Sequence, residues 1–100
     1  MKVTIDPEAE LELTDAALYY ARESGADLGR AFIAEFERSV EILRANPTLG
    51  APWRGAIRRL PLRRFPYSIV YRLRQSELEV FAIAHQSRKP GYWRARTKRP

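Results

Sequence analysis

The sequence predicts an α+β protein with the element order β-α-α-β-β-β, in which a helix hairpin packs on one face of a small, mostly antiparallel sheet. Three observations predict it. Two amphipathic helical stretches fill most of residues 1–50 and are separated only by the residues around Gly25. Three strand-like runs fill most of the second half of the chain, the last two joined by a short turn at Gln75-Ser76. Stacking the helix pair on one face of the sheet is the arrangement that buries both apolar surfaces.

Lys2–Ile5 reads as a short first strand. "IDPEAE" then opens a helix, with Asp6 as N-cap, Pro7 at the first helical position and acids in the first turn, where the helix dipole favours them. Leu11, Leu18 and the Ala17/Ala21 pair supply its predicted apolar stripe, and Gly25 suits a left-handed terminus. Asp27 is placed to cap the second helix. Its stripe is Leu28, Phe32, Phe36, Val40 and Leu43, widened by Ile33 and Ile42, and Asn46-Pro47 ends it. Glu35, Glu37 and Glu41 fall mostly on the opposite face and read as solvating. The short connection makes the two helices antiparallel neighbours.

The loop "NPTLGAPWRG" leads into "AIRRLPL", "RRFPYSIVYRL" and "ELEVFAIAH". In the middle run Phe65, Tyr67, Ile69, Tyr71 and Leu73 share one face, and Arg64, Ser68, Val70 and Arg72 share the other. Both faces of the last run are apolar, as in a strand inside a sheet. The tail "RARTKRP", within residues 94–100, is expected to fray.

A chain of 100 residues supports one domain with one modest core. With no cysteine and one histidine it has no disulfide, thiolate zinc site or thiol nucleophile, so no metal or cofactor is expected. No segment approaches the length of apolar sequence that a membrane span requires, so a cytosolic location is expected. Charge is the sharper signal. Residues 1–50 carry five Lys/Arg against ten Asp/Glu, whereas residues 51–100 carry thirteen against two. A half that basic attracts a polyanion or an acidic protein segment.

The helix with "ALYYA", the helix ending "ILRANPTLG", the strand "LRRFPYSIVYR" and the strand running out as "VFAIAHQSRKPGYW" occur in an order that resembles the RelE/ParE superfamily of bacterial toxins. The resemblance covers nearly the whole chain. It implies the fold derived above and a role as the toxic half of a type II toxin–antitoxin pair in the bacterial cytoplasm. It also implies a cognate antitoxin with an acidic, disordered C-terminal segment, through which alone the pair would reach operator DNA.

The superfamily implies two mechanisms. A RelE-like member cuts messenger RNA on the ribosome, and His85 would then be the acid or base, Arg64 and Arg88 would hold phosphate, and Tyr92 or Trp93 would stack on a base. A ParE-like member acts on DNA gyrase through protein contact, and its final strand leads into an "HQS"-like segment such as His85-Gln86-Ser87. In that reading, which is favoured here, Arg63, Arg72 and Arg88 are docking residues. Tyr92 and Trp93 anchor the C-terminal segment, and Tyr19 and Tyr20 belong to the core and the antitoxin groove. Lys89 is the one lysine near the sheet, whereas the ribonuclease members use several lysines or a carboxylate at sheet positions. A plain nucleic-acid-binding module is the third reading, although no zinc-finger spacing, RNP-like aromatic motif or phosphate-cradling glycine loop is present.

Overall fold

The computed structural model describes residues 1–98, and its order is β1 (Lys2–Ile5), α1 (Pro7–Ser24), α2 (Ala26–Ala45), β2 (Ala51–Arg54), β3 (Ile57–Pro61), β4 (Tyr67–Arg74) and β5 (Glu77–His85), followed by a 3-10 helix, Arg94–Lys98. The five strands form one sheet in the order β1-β5-β4-β3-β2, antiparallel except for the parallel β1–β5 pair. The predicted α+β arrangement is therefore present, with one addition. Ala51–Arg54, read as loop, pairs with β3 as an edge strand. An edge tolerates Pro52 because no further strand needs its missing N–H.

Local chemistry explains the helix boundaries. The Asp6 side chain accepts the Glu8 N–H at 2.9 Å and Pro7 opens α1. Gly25, at φ 99°, ends α1 and begins α2, a backbone conformation that favours glycine. Asp27, expected as the cap of α2, lies instead inside its first turn and pairs with Arg30. The helices approach closely at Gly29, where a Cβ would come within 2.7 Å of the Ala17 carbonyl oxygen. Gln75 and Ser76 both take positive φ, 51° and 62°, as a tight two-residue hairpin turn between β4 and β5 requires.

The core on the helix side of the sheet joins Phe32, Phe36, Val40 and Leu43 of α2 to Ile69, Tyr71, Leu78, Val80 and Ile83. On α1 the buried row is only partly the predicted one, since Ala17 and Ala21 face inward but the leucines do not. Leu11 and Leu18 are 62% and 45% exposed, while Ala9 and Ala16 are buried and Leu13, Ala17 and Tyr20 pack beside them. Close packing admits the small side chains and turns the large ones outward. Glu35 also departs from its expected solvating role: it accepts hydrogen bonds from Arg38, the Ser39 hydroxyl and the Arg63 N–H, fixing the loop between β3 and β4.

The opposite face of the sheet carries arginines such as Arg59 and Arg72, and also holds a second core of Ile57, Val70, Phe81, Ala82 and Trp93. Trp53 meets Trp93 edge-on at 4.8 Å. The strand register explains how β5 serves both cores. Between Val70 and Tyr71 the pairing slips by one residue, so Phe81 has no partner on β4. This bulge shifts the alternation and lets Val80 and Ile83 both face the helices.

The Tyr71 hydroxyl ties the α2–β2 connection to the sheet, accepting the Gly50 N–H at 2.9 Å and donating to the Pro47 carbonyl at 2.7 Å. A Cβ at position 50 would stand 2.6 Å from that hydroxyl and 3.0 Å from the Arg59 carbonyl oxygen. Gly50→Ala is therefore expected to break both bonds and cost about 2 kcal/mol. Urea unfolding checks it, and an unchanged midpoint would show that the connection gives way freely.

Candidate functional site

The residues singled out between His85 and Trp93 follow β5 as it leaves the sheet. β1 pairs with β5 only from Glu77 to Val80, so beyond Val80 the outer edge of β5 lacks a strand neighbour. Side chains complete it. The Glu12 carboxylate on α1 accepts the Ile83 N–H at 3.0 Å, and the Arg96 guanidinium donates to the Phe81 carbonyl at 3.0 Å.

Glu12 is the centre of this corner. It also accepts the Tyr92 hydroxyl at 2.6 Å and both terminal nitrogens of Arg96, at 2.9 and 3.1 Å. Arg96 pairs with Glu8 as well, at 3.2 Å. Burial works against the Arg96 charge, but hydrogen bonding and attraction from Glu12 outweigh it and raise the Arg96 pKa. The Tyr92 phenol is pushed well above its ordinary value, first by burial and then by the hydrogen bond and charge of Glu12. The guanidiniums of Arg88 and Arg96 lie over the Tyr92 ring, 3.8 and 5.2 Å from its centre.

The network reaches into the tail. Arg94–Lys98 is a 3-10 helix whose Arg96 is only 8% exposed, because an unpaired arginine there would be costly and two carboxylates of α1 receive it. Residues 99 and 100 lie outside the described residues. Sequence reasoning missed Glu12 altogether. Its signal was its position, three residues after buried Ala9 and four before buried Ala16, which places a carboxylate on the inward row of α1.

His85 ends β5 with its ring edge-on to Tyr67 at 4.9 Å. Its Nδ1 accepts the Ser87 N–H at 3.0 Å and lies 2.7 Å from the Ser87 hydroxyl, which leaves the ring proton on Nε2. His85 and Arg88 line a groove between α1 and the end of β5, together with Asp15, Tyr19 and Tyr67. They also line a second groove on the opposite face with Arg59, Lys89, Tyr92 and Trp93.

The other predicted residues do not converge with these. Arg64 sits in the β3–β4 loop at φ 69°, stacked over Phe65, and lines neither groove. Arg63 is held through its backbone N–H by Glu35 at 2.8 Å. Arg72 is committed to Glu79 at 2.8 Å and lies over Phe81. Trp93 is 4% exposed. Tyr20 packs against Phe32, Phe65 and Tyr67, while Tyr19 stands 57% exposed at its edge.

A helix hairpin on a sheet of this order, with a C-terminal segment pinned to its last strand, is the α+β architecture the sequence predicted. Among solved structures it resembles one described as "Chromosomal ParDE TA system from P. aeruginosa", with a TM-score of 0.75 and 23% identity over 85% of this chain and 95% of that one. Residues 3–90 match the sequence family described as "ParE toxin of type II toxin-antitoxin system, parDE", and the chain belongs to that family. A search of curated protein sequences finds no match. The chain is thus a type II toxin with a cognate antitoxin, and no helix among its described residues is long and apolar enough to cross a membrane.

Proposed function

We propose that this toxin acts by docking on DNA gyrase and not by cutting RNA. The observation that carries the reading is the commitment of Tyr92, whose hydroxyl is held by Glu12 and whose ring carries two guanidiniums. A tyrosine so engaged is an anchor for the segment after β5, and its ring, covered by Arg88 and Arg96, is not free to stack on a base. Arg64 lines neither of the grooves that His85 lines, so of the two arginines meant to hold phosphate only Arg88 is beside the group meant to move the proton. In the docking reading Arg88 and the segment around it form the gyrase contact, with Tyr92 and Trp93 holding its shape.

The antitoxin contact falls on the outer row of α1. Leu11, Leu18 and Tyr19 are exposed there at helical spacing, which suits the apolar face of a segment that folds as it binds. The adjoining groove offers Arg88 and His85 to its acidic groups.

A gyrase supercoiling assay with purified toxin tests the target. Cleaved-DNA complexes should accumulate, and His85→Ala should inhibit within about threefold of the parent, since docking asks no proton transfer of the ring. Cutting of messenger RNA on ribosomes, abolished by His85→Ala while gyrase is untouched, would replace this reading with the ribonuclease one.

A further inference from the structure

Six arginines among the described residues are held by carboxylates. Arg30, Arg38 and Arg44 pair with acids of α2, Arg72 and Arg74 share Glu79, and Arg96 is held by Glu8 and Glu12. By contrast Arg59, Arg88, Lys89 and Arg94 have no carboxylate partner among the described residues. These four cluster on the sheet face away from the helices. Arg59, Arg88 and Lys89 line the groove beside Trp53 and Tyr92, and Arg94 lies over Trp53.

A second shallow groove, running past Pro61 and Pro66, shares Arg59, Ser68 and Gln86 with the first. The two are therefore continuous. No acidic residue lines either one. The result is a strip with cations spaced along it and neutral hydrogen-bonding side chains between them.

We propose that this strip binds the sugar–phosphate backbone of duplex DNA directly. Two observations choose that occupant. A protein segment that folds on binding needs apolar anchors. The large exposed hydrophobics, among them Leu11, Leu18 and Tyr19, line neither groove of the strip. A single strand needs free aromatic faces on which its bases can stack. Here Trp53 already carries the guanidiniums of Arg54 and Arg94, Tyr92 carries those of Arg88 and Arg96, and Trp93 is buried. Unpaired guanidiniums with neutral donors between them match phosphates, whose bases remain paired inside a duplex.

The inference goes beyond docking on gyrase and does not need it. DNA binding by the toxin alone tests the strip, whereas gyrase inhibition tests the docking reading, so either can fail without the other. The experiment is fluorescence anisotropy of the full chain with a labelled duplex of about 20 base pairs, titrated between roughly 50 and 200 mM salt. Binding should weaken steeply with salt. The double variant Arg59→Ala/Lys89→Ala should lower the log–log salt slope by about 2 and the low-salt affinity by about tenfold or more.

Arg22→Ala, an exposed change on α1, should leave binding unaltered. Both altered positions of the double variant are exposed, and an unchanged melting temperature verifies that it folds; Arg59→Gln/Lys89→Gln repeats the test with side-chain length largely kept. Equal losses from Arg22→Ala and the double variant would overturn the proposal in favour of diffuse attraction. Tighter binding of a single strand, or displacement of the duplex by polyglutamate of equal charge, would overturn it in favour of those occupants.

Discussion

Glu12→Ala is expected to lower folding stability by about 3–5 kcal/mol and to release the segment after β5 from the sheet. The substitution removes one carboxylate that accepts from Ile83, Tyr92 and Arg96. Among the described residues it leaves the buried guanidinium of Arg96 with Glu8, whose side chain is 50% exposed, as its one carboxylate partner. Truncating one side of a buried pair costs more than the pair itself contributes, because the stranded charge has lost its water. Glu12→Gln keeps the shape and some of the hydrogen bonding, so its loss should be smaller. Urea unfolding gives the stability, and fluorescence of Trp93, which the segment itself buries against the second core, reports its release. A loss below about 1 kcal/mol would mean that the second core holds the segment without the network.

The same corner makes the fold sensitive to alkali. Tyr92 has a folded pKa raised above the ordinary 10.0, chiefly by burial, and Tyr20, Tyr67 and Tyr71 are raised with burial as the leading cause. A raised pKa contributes stability that is complete below the unfolded value and is lost as pH climbs through the folded one. Stability should therefore fall above about pH 10, and less steeply in Tyr92→Phe, as denaturant midpoints in alkaline buffer would reveal. At the acid end the sign reverses. Glu35 is lowered from 4.5, first by its hydrogen bond from Arg38, so its contribution is present above that value and disappears as pH falls through the folded one.

Phe32→Ala should be comparably damaging, at about 3–5 kcal/mol, because Phe32 is fully buried where α2 meets the sheet. Its ring contacts Tyr20 of α1 at 5.5 Å, Phe65 of the β3–β4 loop at 5.0 Å and Tyr67 of β4 at 5.1 Å. Removing it leaves a cavity walled by three elements that cannot all move inward, so little of the volume is recovered. Phe32→Leu should cost less than half as much. Equal midpoints for the alanine and leucine variants in urea would contradict this account.

The second helix was legible in the sequence because its large apolar residues are also its buried ones: Phe32, Phe36, Val40 and Leu43 all enter the core. The first helix was legible only in part: Ala17 and Ala21 do meet α2 at Gly29, but hydrophobicity ranks leucine above alanine, whereas close packing buried Ala9 and Ala16 and left Leu11 and Leu18 outside. The phase of β4 was readable from simple alternation, since Tyr67, Ile69 and Tyr71 all face the helices. In β5 the bulge at Phe81 interrupts alternation, and nothing local marks it. For the candidate site, the stretch after His85 stood out by composition, but its organiser did not. Glu12 and Arg96 meet across 84 positions of chain, and neither residue type is distinctive where it stands. Exposed Arg59 and paired Arg72 likewise look alike until the sheet brings Glu79 beside one of them.

The parallel β1–β5 pair sets a clock on the molecule. Lys2 is matched with Glu77 and Ile5 with Val80, so the strand made first waits for the one made last. At about 5–20 residues per second the ribosome needs roughly 4–15 s to cover that interval. During that time the strand that flanks β5 is unpaired, and Glu12 has neither the Ile83 backbone nor Arg96 to engage. The sheet edge that shapes the segment after β5 is therefore completed only when translation is nearly over.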